Sequence, residues 1–170
     1  MAEEREQPLS DGASEAVVSA RVMAILADVK CLAQEYYELT AGRVLGVTGQ
    51  IAEYEASKRL GLILAPPGTA GYNASRGQEL IQITGRRVPS GKLKCQRIGG
   101  LDLGKRWHTV VLVMLDEHFE PTAIYEATRS ALEVSLHRLE REAKERDRAK
   151  QGMAVSEFMT LGRRIRPDGG

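Results

Sequence analysis

Six consecutive apolar residues, Val110 to Leu115 in VVLVML, limit what this chain can become more than any other stretch. The run is far too short to cross a bilayer, which takes about 20 apolar residues. As a strand it has no polar side, so both of its faces must be covered. Such a strand sits centrally in a sheet with helices on its faces. The flanking residues extend it to WHTVVLVMLDE, and Trp107 at its opening reads as a core or sheet-edge anchor. EPTAIYEA is its expected neighbour, reached through the turn DEHFEP.

The rest of the chain supplies partners for that strand. In ELIQITGR, Ile81 and Ile83 alternate with Gln82 and Thr84, the pattern of a half-buried strand. LILA and GYNAS are shorter strand candidates, separated by Pro66, Pro67 and Gly68. A long helix is expected from a Ser14 cap to about Leu39, ended by Gly42. Val18, Val22, Ile25, Val29, Leu32 and Tyr36 form one stripe on it at steps of four and three, to pack on the sheet or on a second subunit. A second helix lies in GVTGQIAEYEASKRLG, with Thr48 as candidate cap and Gly61 as stop. Its Glu53 shares a face with Gly49, Ala56 and Leu60 and therefore needs a partner, a cavity or a metal. Ser130 to about Lys150 forms a charged helix lined by Leu132, Leu136, Leu139 and Ala143, and SEFMTLG a last short one. The expectation is an α/β fold, a mixed central sheet of about five strands flanked by helices. An acidic disordered N-terminus occupies 1–12, a single domain 13–150, and a short helix with a basic tail 151–170.

Charge bears on partners through its placement. Lys and Arg number 24 against 23 Asp and Glu, so the total is nearly balanced. From Arg76 to Arg106, however, eight basic residues face only Glu79 and Asp102. Arg86, Arg87, Lys92, Lys94, Arg97 and Lys105 are the nucleic-acid-binding candidates, set in a Gly-containing loop expected to be exposed and free to follow a phosphate backbone. Cys31 and Cys95 have no metal-like spacing, and no apolar leader is visible, so a reduced cytoplasmic setting without membrane contact is expected. There is no Cys/His cluster and no phosphate-loop spacing. His108, with Asp102 near it in sequence, is a candidate base for a rearranged site.

GQIAEYEASKRLGLILAPPGTAGYNA followed by LIQITGRR resembles a small bacterial family of unknown function related to the PD-(D/E)XK, or restriction-endonuclease-like, nucleases. The likeness covers roughly residues 45 to 127. Proteins of that class place an acid on the first core helix, an Asp at a strand end and an (E/D/Q)-x-Lys element on the next strand. The resemblance implies that fold. It also implies a site at Glu53, Asn73, Gln82 and Thr84, in which Asn73 stands at the Asp position and Thr84 at the Lys position. In the nucleases the carboxylates hold Mg²⁺ against the scissile phosphate, and the Lys stabilises the charge that builds there. One carboxylate and two amides are a poor magnesium site, so no cofactor is expected.

Three readings follow. The first is a catalytically degenerate nuclease-like protein that binds nucleic acid or a nucleic-acid-processing partner. The second is an active Mg²⁺-dependent nuclease with a rearranged site. The third is a structural or dimerising module built on the first long helix and the Leu132 helix, with a protein partner or a second copy. The first reading expects the four site residues to share one polar pocket, and expects Asn73→Asp with Thr84→Lys to restore metal binding.

Overall fold

The computed structural model describes residues 11–39, 47–66, 68–89, 93, 96–147, 149 and 151–166. The chain divides into two compact units, Met1–Leu45 and Gly46–Gly170. That boundary falls beyond the first long helix.

The described residues of the first unit form α1, Asp11–Leu39, 29 residues long. It starts three residues before Ser14, which therefore lies inside the helix instead of capping it. Gly42 falls outside the described residues.

The second unit holds α2 (Thr48–Leu60), β1 (Ile63–Leu64), β2 (Ala74–Arg76), β3 (Glu79–Arg87), β4 (Arg97–Ile98), β5 (Thr109–Leu115), β6 (Pro121–Thr128), α3 (Arg129–Glu145), β7 (Met153–Ala154), α4 (Val155–Leu161) and β8 (Arg163–Ile165). Six strands form one mixed sheet in the order β1-β2-β3-β5-β6-β8, and β4 and β7 make a separate ribbon. The β3–β5 pair is parallel, from Ile81↔Thr109 to Arg87↔Leu115, and the other pairs are antiparallel.

β5 is buried at every position, as its composition requires. Val110, Leu112 and Met114 join Leu132, Leu136 and Leu139 of α3 and Val155 and Phe158 of α4 in one core. Val111 and Val113 turn the other way, in register with Ile83 and Gly85 of β3. That face meets α2, and a side-chain carbon at Gly85 would come within 2.6 Å of the Ala52 Cβ and 2.7 Å of the Thr48 carbonyl oxygen. Gly85 is what lets helix and sheet touch.

Several local expectations change. Val47, not Thr48, is the N-cap of α2, and its side chain makes no capping hydrogen bond. Gly61 does end that helix, in the left-handed region at φ 61°. The Leu132 stripe of α3 belongs to the core. Residues 163–165 of the basic tail form an edge strand on β6 through Glu126↔Arg163 and Ile124↔Ile165.

Candidate functional site

Asn73 closes the loop before β2, where its backbone extends the sheet. Its N–H donates to the Ile81 carbonyl (3.0 Å), and its own carbonyl accepts from Ala65 N–H (2.9 Å). The carboxamide then lies along the edge of β3. Oδ1 accepts from Ile83 N–H (2.6 Å), and Nδ2 donates to the Ile83 carbonyl (3.1 Å) and to Glu53 Oε1 (2.8 Å). Glu53 thus reaches down from α2, and the partner its half-apolar face demanded is an amide.

Gln82 and Thr84 do not join this pair. Successive strand side chains alternate between faces. Ile81, Ile83 and Gly85 are buried on the α2 face, so Gln82 and Thr84 point to the other. Gln82 is in register with Val110 and Thr84 with Leu112, both on the α3 side of the sheet. The Gln82 amide donates to the Gly100 carbonyl (3.2 Å) and so anchors the loop there. The expected single pocket is therefore split by β3 itself.

Such donors do not fit a magnesium ion. Glu53 is the one carboxylate among the four positions, the Asn73 oxygen accepts from Ile83 N–H, and Gln82 lies across the strand. Among the described residues, no group of three or more His, Cys, Asp or Glu side chains is placed to hold a metal. The two residues named for a rearranged site each accept from backbone. His108 Nδ1 accepts from Leu80 N–H (2.9 Å), and Asp102 Oδ1 accepts from Gly104 N–H (2.8 Å). Each is engaged with backbone.

The basic candidates also divide. Arg87 is only 8% exposed, because its odd position in β3 turns it inward. It donates to the Glu117 carbonyl (2.6 Å) and stacks 5.0 Å from the centre of the Phe119 ring. Arg86 donates to the Arg97 carbonyl (2.6 Å), and burial lowers its guanidinium below the ordinary value. Arg97 is exposed but donates to the Gly152 carbonyl (2.9 Å). These three join segments together and are not loose cations. Lys105 is exposed, as is its neighbour Arg106, and Lys92 and Lys94 lie outside the described residues.

The loop that carries Lys105 is fixed in place. Trp107 Nε1 donates to the Asp102 carbonyl (2.8 Å), which closes the loop onto the buried ring. Arg129, at the start of α3, donates to the carbonyls of Lys105 (2.9 Å) and Leu103 and lies 4.8 Å from the centre of the Trp107 ring. Sequence reasoning passed over Arg129. Its signal was the juxtaposition of one Arg with one Trp across two elements, which no local pattern reports. A second overlooked cluster is Arg76, which bonds both Glu79 (2.8 Å) and Glu126 (2.5 Å), while Thr109 donates to Glu79. No helix among the described residues is long and apolar enough to cross a membrane. Neither a protein-family model nor a curated protein sequence matches the chain.

Proposed function

We propose that the Gly46–Gly170 unit is a restriction-endonuclease-like domain whose metal chemistry is lost, and that the protein binds nucleic acid without cleaving it. The observation that carries this reading is the Asn73 carboxamide. By the resemblance it stands where those nucleases carry a metal-binding carboxylate, and it uses its oxygen on Ile83 N–H and its amide on Glu53 and the Ile83 carbonyl. A helix, a short antiparallel meander and a parallel neighbour strand, in that order, support the fold assignment. Support for a polyanion ligand comes from Lys105 and Arg106, exposed on a loop held by Trp107 and Arg129. Cations on a prepared backbone lose little freedom when they meet phosphate. Nothing in this surface suggests reading of base edges, so little sequence preference is expected. The exposed thiol of Cys31 suits a reducing cytoplasm.

The test is paired. Labelled duplex and single-stranded DNA are titrated at several salt concentrations, and plasmid nicking is followed with Mg²⁺ and Mn²⁺. Binding without nicking is expected. Two phosphate contacts give a log–log salt slope of about −2 on duplex. Lys105→Glu with Arg106→Glu should abolish binding and leave the circular dichroism unchanged, since both residues are exposed. Metal-dependent cleavage that Glu53→Ala removes would replace this reading with the active nuclease. No binding at low salt would replace it with a protein partner.

A further inference from the structure

The long helix α1 leaves large apolar side chains in solvent at a strict interval. Val18, Ile25, Leu32 and Leu39 are 58%, 44%, 57% and 79% exposed, and each lies seven residues from the next. Val22, Val29 and Tyr36 fall between them at steps of four and three, which completes an unbroken heptad seam from Val18 to Leu39. A seam of period 3.5 is the signature of a helix that winds around another helix, whereas a helix lying on a sheet needs only the broader 3.6 stripe. On the side away from the seam, Ala20, Ala27 and Gln34 recur at the same interval. These are small or polar residues that need no cover.

We infer that α1 pairs with the α1 of a second copy of this chain as an antiparallel two-stranded coiled coil. Two features of the seam select both occupant and direction. The first is volume. In the antiparallel register, Val22 faces Leu32, Val29 faces Ile25 and Tyr36 faces Val18, each pairing occurring twice. Each of these six layers then sets one valine against one larger residue, so the paired part of the seam has even width, and Leu39 lies beyond it, opposite Glu15. The parallel arrangement sets each residue against itself, so paired valines fill one end of the seam and paired Tyr36 and Leu39 the other. The second feature is charge. Arg21, Asp28 and Glu35 flank the seam on one side. Antiparallel pairing brings Arg21 to Glu35 of the other copy at both ends, and places the two Asp28 side chains together at the two-fold axis. Parallel pairing sets Arg21 and Asp28 beside Leu26 and Ala33, with no charge to meet. Two ion pairs and six matched layers outweigh the single Asp28 contact, which remains a local penalty.

The experiment uses the full chain. Sedimentation equilibrium across a concentration series should show a monomer–dimer equilibrium. Leu32→Glu puts a charge into two layers and should weaken the dimer about a hundredfold or more. Ala27→Glu, on the opposite face, should leave it unchanged. Asp28→Asn should tighten the dimer, because it removes the like-charge contact at the axis. Orientation is read separately in a Cys31→Ser, Cys95→Ser background. Asp28→Cys should form a disulfide-linked dimer on mild oxidation, while Val29→Cys should not. A monomer at every concentration, a dimer indifferent to Leu32→Glu, or cross-linking at 29 in place of 28 each overturns the inference. The cross-linking readout does not depend on how well Leu32→Glu folds.

Discussion

Asn73 shows how much mechanical work one amide can do. It clips α2 to β3 through three hydrogen bonds, two of them to the backbone of Ile83. Asn73→Ala leaves the Ile83 N–H and carbonyl without these partners and should destabilise the unit by about 2 kcal/mol, read as a lower urea midpoint. For the same reason, Asn73→Asp with Thr84→Lys should not restore metal binding. An aspartate there cannot donate to the Ile83 carbonyl and sets a second negative charge against Glu53, while a lysine at 84 lies across the strand. Calorimetric titration with Mn²⁺ should show no uptake, and the variant should melt lower than wild type. That Glu53 must find a partner was legible in the sequence, because a carboxylate on a half-apolar helix face needs one; that Asn73 would lie near it came from the family resemblance. The separation of Gln82 and Thr84 from it was not. Alternation says that the two share a face, but which face depends on where α2 crosses the sheet. Glu79 belongs to this scale too. Burial alone raises its carboxyl, yet hydrogen bonds from Thr109 and Arg76 and the positive charge of Arg76 outweigh burial, and the net shift is downward. A carboxyl depressed in the folded state stabilises above its unfolded value, and that gain is lost as pH falls through the folded one. Glu79→Gln should therefore flatten the acid limb of the stability curve below about pH 4.5. The gain removed is under about 1 kcal/mol, since both partners are partly exposed.

Among the elements, the contact of α2 with β3 positions everything discussed above. Gly85 is the reason they can approach, and the overlap a methyl group would meet is with backbone and the Ala52 side chain. Gly85→Ala should lift α2 from the sheet at a cost of about 1–3 kcal/mol and loosen the Glu53–Asn73 bond with it. Hydrogen exchange at the Ile83 amide, faster in the variant than in wild type, would report that loosening. β3, β5, β6 and α3 could be read from local patterns, β3 from its alternation, α3 from its leucine stripe and β5 from its unbroken apolar run with β6 as its neighbour. β8 could not. Its three residues include two arginines, and its partner β6 lies about forty residues back in the chain, so composition described it as a tail. β4 and β7 were hidden for the same reason, each being two residues long and meaningful only as a pair. Arg87 shows the reverse error. Its charge made it a surface candidate, but the strand's alternation sent it into the protein, where the Glu117 carbonyl and the Phe119 ring receive it.

At the scale of the whole molecule, every strand among the described residues lies in Gly46–Gly170, together with α2, α3 and α4. That segment carries a complete core and should unfold cooperatively when expressed alone, with one transition seen equally by fluorescence of Trp107 and by far-ultraviolet circular dichroism. Two non-coincident transitions would show that it depends on the first 45 residues. The sheet also ends in a particular way. β1 offers two residues of edge and β8 three, and two of those three are exposed arginines. Aggregation by strand addition needs a longer, flatter and less charged template than either edge supplies. A concentrated preparation of this protein should therefore resist fibril growth from its folded state, and material lost on heating should come from chains that have already opened.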